Sequence, residues 1–371
     1  MRSLNMNNTN KLTRRNFMKL LAVGSAAVAG GYILSEYAPW MNYKEEVGRT
    51  WGDPDFSMPL MALIHYATLA ANGHNTQPWK FAIKENAIEI HPDYSRRLPV
   101  VDPLDRELWI SLGCSLENLL VAAHASGYAT EVSYPNQTDF ISVQLRADSR
   151  QDSPLFNAIP LRQNTRSAYD GRLIKNEDLD QLQALRLEPG VSLQFAMNPT
   201  AMETILEYIN LGNLAQYADS AFVDELIAWV RFNKKEALSS LDGLYSMCSG
   251  NPQVPRIIGQ MFVSGTKPQQ QADADAEKFR SSPAAVVVAS ESDDKVSWIR
   301  TGQVNERLAL QMTSMNIKSA FLNQPIEVTT LREQFRNAIG LGSSLPQLVV
   351  RFGYADAMPT SLRRPVEQVL I

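Results

Sequence analysis

One short pattern occurs twice in this chain and constrains what it can fold into. Gly113-x-x-x-Glu117-Asn118-Leu119 recurs as Gly302-x-x-x-Glu306-Arg307-Leu308, and Gly127 and Asn316 follow at the same offset. Each copy sits in a stretch of helix-spaced apolar residues, about 104–126 and 296–315, so Gly127 and Asn316 fall where a helix end favours a left-handed residue. Helices ending in Gly or Asn are common, and the order of elements around the match gives it weight. Ahead of the first copy come a helix over 59–71 and strands over 79–83 and 87–91, joined by the Glu85-Asn86 turn; strands over 131–134 and 140–146 follow it. Around the second come a helix near Leu179, Leu182 and Leu185, a strand over 193–196, helices over 201–218 and 222–238, and a strand over 284–289. The chain reads as an α+β internal duplication: two tandem halves, 58–150 and 151–371, packed like the subunits of a dimer, each a mixed sheet flanked by helices.

The amino terminus adds a different constraint. Thr13-Arg14-Arg15-Asn16-Phe17-Met18-Lys19 followed by the apolar run Leu20 to Leu34 reads as a twin-arginine export signal, a route taken by proteins already folded around a cofactor. The run is about 15 residues, short of the ~20 a spanning helix needs. Tyr37 and Pro39 flank Ala38, so no clean cleavage site follows, and an uncleaved segment retained at the inner membrane stays open. Residues 1–38 are read as this leader and 39–57 as a linker, which places the protein in the periplasm or outside the cell and makes the export machinery a partner. With 44% hydrophobic residues, 20% charged and a net charge of −4, nothing outside the leader is basic enough for nucleic acid. The two cysteines, Cys114 and Cys248, form either one disulfide or two buried thiols; the apolar helix around Cys114 favours thiols. Four histidines without ligand spacing leave a metal site unsupported.

Two polar segments carry the chemistry. In Asn72-Gly73-His74-Asn75-Thr76-Gln77-Pro78-Trp79, joining a helix to a strand, Asn75 and Gln77 offer amides to a planar heterocycle and Gly73 allows close backbone approach; a polar turn ending in a core Trp is the alternative. In Arg162-Gln163-Asn164-Thr165-Arg166 two guanidinium forks can converge on a phosphate, with Arg363-Arg364-Pro365 a further contributor; singly, each is a solvated charge.

These segments, together with a late helix ending near Leu322-Asn323-Gln324-Pro325, resemble the FMN-dependent nitroreductase superfamily, and most nearly its fused two-repeat Acg-type branch, over roughly 59–370. The resemblance implies FMN as cofactor, with Arg162, Asn164, Arg166 and Arg364 on its phosphate and ring edge. Asn72, Gly73, Asn75 and Gln77 would close the other side, and Asn323 and Gln324 would lie near the reactive nitrogen of the ring. Asn72-Gly73 stand where the family has a Ser pair, and Gln163-Asn164 where it has Arg or His with Ser. Each half-site motif occurs once, so one complete site per chain is expected. Residues 233–270 have no counterpart in small nitroreductases and are read as a lid or a structural insert.

The implied activity is electron transfer through FMN to a nitroaromatic, quinone or similar small acceptor. It requires no side-chain acid, and His74 is the one candidate proton donor. Export removes the protein from reduced nicotinamide, so the donor would be a quinol or redox protein, or the protein would sequester or store FMN without turnover. An exported binding protein unrelated to flavin is the third class.

Overall fold

The computed structural model describes residues 30–31, 34–38, 40–136 and 139–371. Arg14, Arg15 and most of the apolar run, with the export reading attached to them, lie outside the described residues. Helix α1 (Tyr43–Trp51) precedes the first half: α2 (Pro59–Thr68), β1 (Trp79–Lys84), β2 (Ala87–Pro92), α3 (Arg106–Ala125), β3 (Tyr128–Ser133) and β4 (Ile141–Ala147). A short helix α4 (Pro154–Ala158) bridges to the second half, α5 (Asn176–Gln183) and β5 (Val191–Ala196). Next come α6 (Pro199–Ala218), α7 (Ser220–Trp229), β6 (Val230–Arg231), α8 (Lys234–Ser240), β7 (Leu244–Tyr245), α9 (Arg256–Ser264) and α10 (Pro268–Arg280). The repeat pattern then resumes with β8 (Ala284–Ser290), α11 (Lys295–Ser314) and β9 (Lys318–Phe321), followed by α12 (Gln324–Glu327), α13 (Thr329–Ala338) and β10 (Leu345–Gly353).

The two sheets share one topology. Their orders are β1-β2-β4-β3 and β5-β8-β10-β9, which is first-second-fourth-third along the chain in each half. Every ladder inside these sheets is antiparallel. The parallel contacts that make them mixed are single bridges at their edges, Phe81↔Leu370 on β1 and Asn164↔Ser319 on β9. The carboxyl-terminal tail thus extends the first sheet, and the arginine-rich segment after α4 lies along the second.

α3 and α11 cross at the core, and the duplicated glycines are why they can. A Cβ on Gly113 would stand 2.0 Å from the Ile299 carbonyl oxygen, and one on Gly302 would stand 2.0 Å from that of Ile110. Both contacts are with backbone, which cannot step aside, so the close approach requires glycine on both helices. The arrangement is symmetric, since Ile110 precedes Gly113 by the same spacing as Ile299 precedes Gly302. It is consistent with two repeats about a pseudo-twofold axis. Gly127 and Asn316 end these helices at φ +89° and +58°, as the sequence predicts. Leu108, Leu112, Leu116, Leu119 and Ala123 are all buried. Although α3 is long and apolar enough to cross a membrane, 78% of that stretch is buried, and it is a core helix. One apolar cluster runs through both sheets and both crossing helices; a second lies under α6 and α13.

Three readings differ from the structure. The single helix expected over 222–238 is broken: Val230–Arg231 is extended and pairs with Leu244–Tyr245, and Asn233 caps a new helix by accepting from the Glu236 amide. The late helix ends at Ser314, and Leu322–Gln324 follows β9 into a one-turn helix. The strand β10 went unread because Pro346 at its bulge, the glycines before it and the polar Gln347 and Arg351 leave only the short apolar run Leu348–Val350.

A candidate cofactor cavity between the halves

After α2 the chain turns sharply, and His74, Asn75 and Gln77 all take left-handed backbone, at φ +48°, +54° and +53°. Three non-glycine residues so placed cost about 1–3 kcal/mol each. Side chains hold the loop there. Asn72 Oδ1 accepts from the Gln77 amide at 2.8 Å, and Asn72 Nδ2 donates to the Ala70 carbonyl at 3.1 Å. Asn75 donates to the Gly243 and Leu362 carbonyls and accepts from Arg363 at 2.7 Å. Gln77 donates to the Leu241 carbonyl at 2.8 Å and accepts from the Arg364 amide at 2.8 Å.

The loop forms one wall of a cavity of about 680 Å³. Asn72, Gly73, His74, Glu107, Ser111 and Cys114 line it from the first half, and Asn164, Arg166, Asn305, Asn323, Gln324 and Glu327 from the second. The segment 233–270 closes another side through residues such as Leu244, Ser246, Val254 and Phe262. Seven of the sequence-predicted residues therefore meet here: Asn72, Gly73, His74, Asn164, Arg166, Asn323 and Gln324.

The other four do not, and each departure has a physical cause. Arg162 is buried behind the wall, its Nε 3.0 Å from Glu306 Oε1 and its Nη2 donating to the Leu69 carbonyl. The Glu306 contact is an ion pair without hydrogen-bond alignment. Asn75 lines only a side pocket of about 80 Å³, which Arg162 and Arg363 share, and its amide is committed to the insert and the tail. Gln77 is fully buried in the same tethers. Arg364 donates to the Gln77 carbonyl at 2.6 Å and sits near Asp93, away from the cavity. These four hold the loop rather than face the cavity.

Arg166 is the reverse case. It lines the cavity, and among the described residues its guanidinium has no hydrogen-bond acceptor or ion-pair partner. Burial pulls its pKa down while Asp275 and Glu327 oppose that, and it stays cationic. Gln324 adds an orphan acceptor: its Nε2 donates to Asn213 and Asp275, but its buried Oε1 has no partner. Asn323 is spent on the scaffold, accepting from the Val349 amide at 3.0 Å, and Asn164 accepts from that of Phe321 at 3.3 Å.

Sequence reasoning missed the carboxylates. Burial and the neighbouring Glu327 push Glu107 up to about 8, and burial raises Glu327 as well. Glu107 therefore holds its proton near neutrality and, while neutral, does not repel an anion. The available signal was Arg106-Glu107 opening an otherwise apolar helix. His74 is held down at about 4 by burial and by Arg166, so it is neutral at pH 7 and offers at most an imidazole N–H. The cysteines are free, with Cys114 buried and Cys248 half-buried.

No family model matches the chain. It is similar to a Mycobacterium tuberculosis protein carrying the provisional name NAD(P)H nitroreductase Rv3131, 25% identical over 327 residues, which are 83% of this chain and 90% of that protein. It is 23% identical over 338 residues to another from the same organism, named in the same provisional way as NAD(P)H nitroreductase acg, covering 84% and 94%. These relatives support the nitroreductase-like resemblance. Among solved structures, the FMN-dependent nitroreductase of Mycobacterium smegmatis in complex with NADPH aligns at 14% identity and TM-score 0.35, covering 56% of this chain and 94% of that one. A Desulfitobacterium hafniense nitroreductase with bound FMN aligns at 12% and 0.35, covering 59% and 97%.

Proposed function

We propose that this chain is an exported FMN-binding oxidoreductase of nitroreductase type, a duplicated fold holding one flavin between its halves. The observation that carries the reading is a cavity of about 680 Å³ in which the Arg166 guanidinium has no partner. A cavity of a few hundred Å³ with few polar groups is the usual size and character of a cofactor site. A partly buried cation without an anion is costly, and a phosphate there would satisfy it with a charge-assisted hydrogen bond.

FMN, once bound, would take up a hydride equivalent and pass electrons to a small acceptor such as a nitroaromatic or quinone. Arg166 would hold its phosphate alone, because Arg162 already serves Glu306. The orphan Oε1 of Gln324 would accept from a ring N–H. Glu107 would keep a proton at the cavity wall near neutral pH, a role His74 cannot fill while it is neutral. The insert would keep bulk water from the ring. Export would put the protein beyond reduced nicotinamide, so a quinol or redox protein would supply electrons.

The insert also favours a second reading, a flavin-sequestering or storage protein. Its Gly243 amide donates to the Asn75 carbonyl, and Asp242 bridges Arg96 and Arg231, so the cover is latched to the loop. Protein purified through its export route should absorb in the visible as bound oxidised flavin. Anaerobic mixing with a quinol and then a quinone separates the readings. Reduction and reoxidation support the enzyme, persistent oxidised flavin supports storage, and a colourless protein that binds no added FMN overturns both.

A further inference from the structure

The helix α9 carries an apolar face that nothing in the described structure covers. Ile257, Ile258, Met261 and Phe262 are 59%, 45%, 71% and 66% exposed along this nine-residue helix. The opposite side is fixed. Gly259 packs on the Phe232 ring so closely that a Cβ would stand 2.0 Å from it, so α9 cannot roll its face inward. Four large side chains left in water on one helix are an unusual cost for a monomeric protein.

A second observation says what meets this face. The apolar run that begins at Leu20 ends at Leu34, and the residues just after it are bound to the start of α9. Glu36 Oε2 accepts from the Arg256 amide at 3.2 Å, the first residue of α9, and from Asn233 Nδ2 at 3.2 Å. Lys235 donates to Ser35 Oγ at 2.9 Å, and the Tyr37 hydroxyl donates to the Gln253 carbonyl at 3.3 Å. Leu34 and Trp40, on either side of these contacts, are 58% and 70% exposed. The chain therefore delivers the end of its most lipid-compatible segment to a helix with an uncovered apolar face.

Charge points to the same occupant. Between Asp242 and Asp273 the sequence has no acidic residue, while Arg256 and Lys267 bracket α9. Glu236 pairs with Arg256 at the start of α9, and beyond it the helix carries no carboxylate and runs toward Lys267, which suits contact with anionic headgroups.

We propose that α9 and the segment around Leu34–Trp40 form a bilayer-docking surface that seats the insert on an anionic membrane. The docking does not depend on what the cavity holds. It does place one wall of the cavity at the membrane, because Gly259, Phe262 and Val263 of the same helix line the cavity.

The test uses the full chain with its leader, bound to vesicles of phosphatidylcholine and phosphatidylglycerol. An environment-sensitive fluorophore is attached through Met261→Cys, with Cys248→Ser to leave Cys114 buried, and in a second protein through Leu173→Cys, an 80% exposed site on another segment. Docking predicts a blue shift at position 261 and about twofold quenching by bromine-labelled lipid, with neither at position 173. Vesicle-bound protein whose two probes stay equally in water would show that the leader alone holds the membrane and would overturn the proposal. A blue shift at position 261 that needs no vesicles and grows with protein concentration would assign the face to a second copy of the chain, and would overturn it equally.

Discussion

The two flanks of the helix crossing are built from matching residues and end up opposite in character. Glu117 and Glu306 stand at the same offset from the crossing glycines. On the Glu117 flank the space is filled: Arg307 makes a two-pronged pair with Glu117 at 2.7 and 2.8 Å and reaches Glu188 at 2.9 Å, while the Tyr134 hydroxyl donates to Gln303 and Arg300 lies over the Tyr134 ring. On the Glu306 flank the carboxylate pairs with Arg162, which it draws behind the wall, and accepts from the amide of Ala71 in the wall itself, and the space in front remains a cavity. Two flanks built from matching residues can therefore differ, one filled by paired charges and the other left open. The insertion works in the same direction, since β1 and β2 join by a tight hairpin whereas β5 and β8 are separated by the segment that walls the cavity.

The largest expected effect tests the pairing. Glu306→Ala leaves Arg162 buried without a counter-charge and the Ala71 amide without its acceptor, so it should destabilise the fold by about 3–5 kcal/mol in urea unfolding. Glu117→Ala should cost less, because Arg307 keeps Glu188 and the Arg186 carbonyl. Equal losses would mean that the flanks are not the unequal structures described here.

Next comes the crossing itself. Gly302→Ala would gain up to about 1 kcal/mol of helix propensity if the site were open. With backbone 2.0 Å away it should instead destabilise by about 1–3 kcal/mol or more. A more stable variant would break the close-packed crossing.

Arg166→Ala should weaken FMN binding by about 1.5–3 kcal/mol, a tenfold to hundredfold rise in Kd, with folding unchanged. Isothermal titration reads it directly, and an unchanged Kd would return Arg166 to the scaffold.

The smallest effect is in pH. Glu107 is raised in the folded state, so it contributes stability that is fully present below its unfolded pKa and is lost as pH rises through about 8. His74 is lowered to about 4 and acts oppositely at lower pH, so the clean window is pH 7 to 8. Stability should fall there in the wild type and fall less steeply in Glu107→Gln; identical slopes would mean that Glu107 is ionised throughout.

The two matching helices were legible because they rest on apolar spacing and on helix ends, whose requirements are local. The cavity was half legible. Gly73, Asn164 and Arg166 were found by type and order, but which arginine meets a ligand depends on which meets Glu306, a partner 144 positions from Arg162 that only the folded crossing supplies. Asn75, Gln77 and Arg364 misled for the same reason, since amides and guanidinium groups suited to a ligand suit three chain segments equally well. Glu107 stayed hidden because its altered proton affinity comes from burial and from Glu327, neither visible in sequence.

The most direct test of the unequal flanks is the flavin content of fully loaded protein after equilibrium dialysis against excess FMN. The account predicts about one equivalent per chain, falling with Arg166→Ala and unaffected by Arg307→Ala in whatever fraction stays folded. Two equivalents per chain, or one that survives loss of Arg166 and disappears with Arg307, would contradict it.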